Sequence, residues 1–410
     1  MTYGGFEHTM WTGVKAAAVQ REKGHSMDFN LTDEQELLVD SIKEFCEIHF
    51  NEQKVKDMYA AGGVTDDLVQ AYLESGFGLM GIPEELDGVP CDRVTLGLLT
   101  EEFAHYAGCL TPFLNNTLAM RDLIDFGSPE QVEMAMSAYM ETGKPIFSLG
   151  FSEPGAGSDN ASMTSVTKKQ EDGTYILNGQ KTWVTQGEVF PYVLVIAKDE
   201  DPDPKNRSMT MWLVPRELDG VSTAPLHKLG QQIIPFCEMY FDDVVLTEDM
   251  RVGEYGKGFY NLMKNYEMER CLIIAQTLGC AQAAMDDAAA YVNERITMGK
   301  PLAYRQLIQE KLTDMETKLQ NTRNMLYRTL WKMDNDQSVR IDSALLKRYG
   351  ARACTEVASE ALQIYGGLGY TTETRVGRIW QDLRGNQIAG GTDEIMVYIA
   401  GRQLAKQYAK

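Results

Sequence analysis

The chain reads as an α+β protein, mostly α, with its elements in the order helices, strands, helices. Three observations carry this. Apolar residues recur at helical spacing from Leu31 to about Gln131, and again beyond Gly258. Between them, from about Ile146, lie short β-prone runs separated by Gly, Asn and Asp. Helices and strands are segregated along the chain, which argues against an alternating βαβ sheet.

The elements can be justified in order. Thr32 is followed by Gln35 three residues on, ahead of Leu37 and Leu38, so a capping box opens the first helix. Asp33 and Glu34 suit the positive end of its dipole. Glu101 to Tyr106 continue a helix towards Gly108, while Ile82-Pro83-Glu84-Glu85 and Asp87-Gly88 mark loops. Asn178-Gly179, set between Tyr175-Ile176-Leu177 and the β-prone run at 181–185, predicts a tight hairpin because both residues tolerate positive φ. Strands are expected at 192–197 and 209–214, joined by a polar 198–207 loop, and at 239–241 and 244–246. Long helices are expected at 258–298, 306–333 and 341–364, with the apolar 271–284 stretch as a buried core segment. Met27-Asp28-Phe29 marks the expected start of the folded part. Residues 1–26 contain no continuous apolar segment of a secretory signal and are expected to be a disordered leader.

Composition narrows the function. A formal charge of −20 repels phosphate backbones, so general nucleic-acid binding is not expected. No stretch approaches the roughly 18–20 apolar residues that span a bilayer. The seven cysteines are scattered, odd in number and without a C-x-x-C pair, and the five histidines lack metal-ligand spacing. No disulfide framework or metal is expected, and a reducing, cytoplasmic location fits.

The motifs come next. Phe151-Ser152-Glu153-Pro154-Gly155-Ala156-Gly157-Ser158-Asp159 is a Gly-rich turn carrying hydroxyls and free backbone N–H groups, suited to close approach of a phosphate or a polar ring edge. Leu177-Asn178-Gly179-Gln180-Lys181-Thr182-Trp183-Val184-Thr185 follows. Then come Arg295 with Met298-Gly299-Lys300-Pro301, Gln306, the run Gln363-Ile364-Tyr365-Gly366-Gly367, and Gly391-Thr392. Taken singly, Trp183 would be a core residue, Arg295 a surface ion-pair residue and Gly366-Gly367 a turn. In this order, from about Met27 to the end, the set resembles the acyl-CoA dehydrogenase family.

That resemblance implies a helical N-terminal domain at 27–147, a β-barrel-like middle domain at 148–258 and a C-terminal four-helix bundle at 259–410. It implies FAD, with Phe151, Ser152, Trp183 and Thr185 lining the flavin ring. Arg295, Gln306, Gln363, Ile364, Tyr365, Gly366 and Gly367 would hold the diphosphate and adenosine across a subunit interface. Thr392 and Glu394 would complete the cofactor site. Ser158 would sit near the CoA part of the substrate, and Arg270 and Gly391 would also contact substrate. The implied reaction interconverts an acyl-CoA and its 2,3-enoyl-CoA. Electrons would be exchanged with an electron-transferring flavoprotein, in a homo-oligomer expected to be a tetramer. The stretches Met27-Asp28-Phe29-Asn30-Leu31, Arg305-Gln306-Leu307-Ile308-Gln309-Glu310-Lys311 and Asn324-Met325-Leu326-Tyr327 are most similar to the crotonobetainyl-CoA reductase branch, which raises a reducing direction as an alternative. A non-catalytic scaffold homologue is a further alternative.

That last alternative arises because most of the family carries its catalytic glutamate just before the final Gly-Thr, and here that place is Gly390. The backbone N–H at 390 can still polarise a thioester carbonyl. The base must come from elsewhere. Glu269 precedes Arg270, as the base does in the isovaleryl-CoA and long-chain dehydrogenases, where the loop position is small, as in Ala389-Gly390. The competing reading is that Glu269 merely pairs with Arg270 or caps a surface. Glu267 lies about 200° around the same helix and cannot face the same pocket. Gln381 stands where the family usually has Arg before Asp382, which questions a buried ion pair there.

Overall fold

The computed structural model describes residues 30–200 and 208–409, with backbone alone for 114–119. The expected start at Met27, the leader at 1–26 and most of the 198–207 loop lie outside the described residues.

Helix α1 (Asp33–His49) opens with both halves of the anticipated capping box. Gln35 N donates to Thr32 Oγ1 at 3.2 Å, and Thr32 N donates to Gln35 Oε1 at 3.1 Å. Helices α2 (Glu52–Ala61), α3 (Asp66–Glu74), α4 (Arg93–Ala107), α5 (Phe113–Phe126) and α6 (Pro129–Thr142) follow. Gly108 ends α4 in the left-handed region at φ 62°, where a glycine costs least.

The middle of the chain builds one sheet from β1 (Phe147–Gly150), β2 (Val166–Lys169), β3 (Tyr175–Thr185), β4 (Tyr192–Asp199), β5 (Met209–Pro215), β6 (Val221–Leu226), β7 (Phe236–Leu246) and β8 (Arg251–Val252). Its order is β6-β7-β3-β2-β4-β5-β8, with β1 parallel to β4. Alternation along β4 and β5 splits two cores. Leu194, Ile196, Met211 and Leu213 pack towards Met120, Leu123 and Tyr139 of α5 and α6, while Val193, Val195, Trp212 and Val214 pack on Leu177, Cys237 and Met239.

The expected hairpin at Asn178-Gly179 does not form. β3 runs straight through it, pairing with β2 on one side and β7 on the other, and the dipeptide marks a bulge in the β7 register. Gly179, at φ 151°, passes so close to Ser165 that a Cβ would lie 2.3 Å from its Oγ. Asn178 instead brackets Asp243, donating from Nδ2 to Oδ1 at 2.9 Å and accepting from Asp243 N at 2.9 Å. The separate strands expected at 239–241 and 244–246 are one strand, β7.

Helix α7 (Gly258–Glu294) ends four residues before the expected limit, because Arg295 leads into the small β9 (Ile296–Thr297) and β10 (Lys300–Pro301) ribbon. α8 (Gln306–Asp334), α9 (Arg340–Tyr365) and α10 (Arg375–Gly385) complete the bundle, and α11 (Asp393–Gln407) packs on α9. The bundle core around Cys271, Ile274, Leu278, Leu319 and Ala358 continues into α1 and α4. Asp382, 1% exposed, is satisfied by the Tyr59 hydroxyl and the Gln231 N–H, so it needs no arginine at 381.

Candidate active site

Glu269 lies in the first third of α7, and protein surrounds it on most sides while leaving a strip of open surface. The loop after α10 comes to meet it. Ile388 N and Ala389 N both donate to Gly385 O, at 2.9 and 3.0 Å, and Asp393 N donates to Gln387 O at 3.1 Å. Gly390 and Gly391 follow with φ of 64° and 95°, a left-handed pair that glycine enters without a Cβ penalty. The fully buried Lys347 on α9 donates from Nζ to Gly391 O and pins the loop. A Cβ on Gly390 would stand 4.0 Å from Glu269 Oε1 and 2.7 Å from Ile273 Cδ1. The place left by the loop side chain is therefore the place Glu269 reaches. Among the described residues, nothing accepts from the Gly390 N–H.

The competing ion-pair reading fails on geometry: among the described residues no salt bridge joins Glu269 to Arg270. Arg270 is 6% exposed, its guanidinium carbon lies 5.8 Å from the Tyr266 ring centroid, and its Nε has no partner among the described residues. Burial, and then the charge of Asp122, push Glu269 up to about 7, against the pull of Arg270 and Lys347. Burial likewise lifts Asp122 to about 7, with Asn265 holding it down through a hydrogen bond and Asp125 adding to the rise. Glu267 is also raised by burial, with the charges of Arg270 and Arg340 drawing it back down.

A second group forms where the Gly-rich turn meets β3. Thr182 N donates to Ser152 O at 2.9 Å, and the fully buried Lys181 Nζ donates to Phe151 O at 3.1 Å and to Glu153 Oε1 at 2.9 Å. Glu153 accepts also from Thr164 N at 2.6 Å and Ser165 N at 2.9 Å. Burial opposes its ionisation, but the charge of Lys181 and these donors hold it at about 2. Beside this staple stands Trp183, at φ 59° and 58% exposed. A large indole held outward by a strained bulge presents a flat apolar face, which fits a planar ring system. Thr185 is next but one on the same strand. The Phe151 ring lies 6.3 Å from Tyr266, which joins this group to the Glu269 group.

The third group is elsewhere. Arg295 caps the far end of α7, Gln306 opens α8, and the Tyr291 and Tyr365 rings stack at 4.2 Å, bringing the 363–367 turn to the same end. Arg295, Gln306, Gln363, Gly366 and Gly367 are exposed there, and Ile364 is buried. Neither glycine of the turn has anything within 4 Å of a built Cβ, so the backbone is open to close approach. From Glu269 to Arg295 is roughly 39 Å along the helix at 1.5 Å per residue. One chain does not bring these residues to the other two groups. Thr392, whose hydroxyl accepts from Ile395 N at 3.3 Å, and exposed Glu394 start α11 beside the 390–391 loop. Ser158 is exposed on the Gly-rich turn. The neighbours of Glu269 that motif reading passed over are Asp122, Asn265, Tyr266 and Lys347. Only their apolar setting in α5, α7 and α9 hinted at them.

One region of the molecule thus holds a carboxylate raised towards neutrality beside an open amide, and the Phe151–Tyr266 ring contact links it to the strand that carries the exposed indole of Trp183. The N-terminal, middle and C-terminal acyl-CoA dehydrogenase domain families match residues 32–141, 148–244 and 256–405. The chain belongs to the acyl-CoA dehydrogenase family, whose members are FAD-dependent and act on acyl-CoA. It is 43% identical over 382 residues to the probable acyl-CoA dehydrogenase YdiO of Escherichia coli (strain K12), covering 93% of this chain and 99% of the relative. Among solved structures it is similar to butyryl-CoA dehydrogenase from Megasphaera elsdenii, with a TM-score of 0.85, 30% identity, and coverage of 92% of this chain and 100% of that one. It is also similar to a chain in the structure of the electron transferring flavoprotein of Acidaminococcus fermentans, with a TM-score of 0.85, 26% identity, and coverage of 92% and 99%.

Proposed function

We propose that this protein interconverts an acyl-CoA and its 2,3-enoyl-CoA, with Glu269 as the group that takes or returns the α-proton. The observation that carries this is the approach of Glu269 Oε1 to within 4.0 Å of the vacant Cβ position at Gly390. A carboxylate near neutrality accepts a carbon-bound proton far better than one at its ordinary value. The Gly390 N–H would polarise the thioester carbonyl and stabilise enolate charge. Arg270 orders the base helix through Tyr266 and stays charged throughout.

FAD, when bound, supplies the hydride acceptor or donor on the face of the substrate opposite the base. Phe151, Ser152, Trp183 and Thr185 would hold its ring, and Thr392 and Glu394 would close the site beside the loop. The distance along α7 means that Arg295, Gln306 and the 363–367 turn would serve a cofactor bound mainly by another copy, which supports a homo-oligomer, with a tetramer as the expected form. The resemblance to the Acidaminococcus structure supports an electron-transferring flavoprotein as redox partner. Direction follows the potentials of substrate and partner, so the reductase role suggested by the crotonobetainyl-CoA branch uses the same residues.

Anaerobic mixing with a panel of CoA esters tests the proposal. The protein is expected to carry FAD and to bleach with an acyl-CoA, and Glu269→Gln is expected to bind both without bleaching. Undiminished bleaching in that variant would eliminate Glu269 as the base.

A further inference from the structure

A CoA ester that reacts beside Glu269 needs two exits, one for CoA and one for the acyl group. The Gly-rich turn packs at the amino end of α7, with the Phe151 ring 6.2 Å from Phe259 and 6.3 Å from Tyr266. With CoA led over that turn, the carboxyl side of Glu269 is left for the acyl group. There Leu272 and Gln276, three and seven residues on, continue the helix face that carries Glu269. They line a cavity with Leu99 and Phe103 of α4, Thr111 and Phe113.

The cavity measures about 20 Å³, room for one water-sized group. Its aromatic wall is braced. Phe113 stacks on Tyr72 at 4.0 Å, and Phe103 meets Tyr72 and Phe113 edge-on at 5.3 and 5.7 Å. Gln276, 7% exposed, interrupts the apolar lining. Its Nε2 donates to Thr111 O at 2.9 Å, which fixes the amide with Oε1 turned away from that carbonyl. Among the described residues, nothing donates to Gln276 Oε1. A buried acceptor left open beside a cavity calls for a donor there.

Building on the acyl-CoA reading above, we propose that Gln276 is a specificity-determining residue, and that this cavity takes the end of a short acyl group bearing one O–H or N–H donor. Gln276 stands about 10.5 Å along α7 from Glu269, which sets the reach of the chain. Leu272 covers its apolar part, and the braced rings stop a longer one. A methyl end fills the same space but leaves the amide oxygen unanswered. A carboxylate end sets lone pairs against a lone pair, and a trimethylammonium end brings no donor and exceeds the space.

The test uses the FAD-loaded full chain and CoA esters of matched length with hydroxyl, amide, methyl, carboxylate and trimethylammonium ends. Flavin bleaching is measured for each. Dissociation constants are measured by calorimetry on Glu269→Gln, so that binding is read without turnover. With Gln276 present, the hydroxyl and amide ends are expected to bind about tenfold tighter than methyl, the span of one buried hydrogen bond, with the other two weakest. Adding Gln276→Leu is expected to put the methyl end first. Equal binding of hydroxyl and methyl ends with Gln276 present would show that the cavity holds only a water, and it overturns the assignment even if the Gln276→Leu variant fails to fold. So does a methyl-first or trimethylammonium-first ranking, or an unchanged ranking in Gln276→Leu. If esters bind and bleach without regard to their ends, only Gln276 falls. If no CoA ester binds, the acyl-CoA reading falls with it.

Discussion

Glu153 and Glu269 are both enclosed by the fold, and they end at opposite sides of the ordinary carboxylate range. Glu153 has a buried lysine at 2.9 Å and backbone donors from Thr164 and Ser165, and it is held at about 2. Glu269 has no such partners among the described residues, has Asp122 nearby, and is pushed up to about 7. Burial is shared, so partners decide. A carboxylate with every lone pair answered is a fastener, and one left unanswered is free to exchange a proton.

Several experiments would break or sharpen this contrast. The largest effect is expected from Glu269→Gln, which should slow flavin reduction by acyl-CoA by about 10³-fold or more in stopped-flow measurements while leaving FAD content unchanged. Equal loss of FAD would reassign Glu269 to structure. Next, Lys181→Met strands Glu153 without its cation. It should cost about 3–5 kcal/mol in denaturant unfolding and weaken FAD retention, because Phe151 O and the Gly-rich turn lose their tie. A neutral result would show that Glu153 is not a fastener.

The pH dependence should also separate the two residues. On the proposal that Glu269 is the base, it works ionised, so flavin reduction should rise with pH through about 7 and level off above it, falling about tenfold per unit below. Glu153 acts in the other sense: its depressed value adds stability that is present above the ordinary glutamate range and is lost as pH falls towards about 2. A rate profile centred near 4 would contradict the lone-carboxylate account. The smallest effect is expected at Gly390→Ala, where the left-handed φ of 64° costs about 1–2 kcal/mol and the new methyl must displace Ile273 Cδ1. Slower reduction with stability lowered only by that amount would confirm that the loop must stay slim beside the base.

Local signals were legible where the physics is local. The Thr32–Gln35 capping box and the long periodic helices need only residues within a turn or two, and they occur within a few residues of their expected limits. Asn178-Gly179 misled because the same tolerance of positive φ serves a hairpin or a bulge. Whether β3 turns or continues depends on β2 and β7 flanking it and on Ser165 pressing against Gly179, none of which is near in the chain.

The site divides in the same way. Glu269 came from the family resemblance: position 390, where most of the family carries its base, is glycine, and Glu269 precedes Arg270 as the base does in the isovaleryl-CoA and long-chain branches. Sequence could not show that Asp122, 147 positions earlier by subtraction from 269, bears on the same carboxylate, or that Lys347 pins the loop. The sequence by itself determined the helices, their caps and the chemistry on offer, because those follow from near neighbours and side-chain type. Tertiary packing alone decided which carboxylate is answered and which is left unpaired, because ionisation is set by groups that meet only when α5, α7, α9 and the 385–391 loop come together.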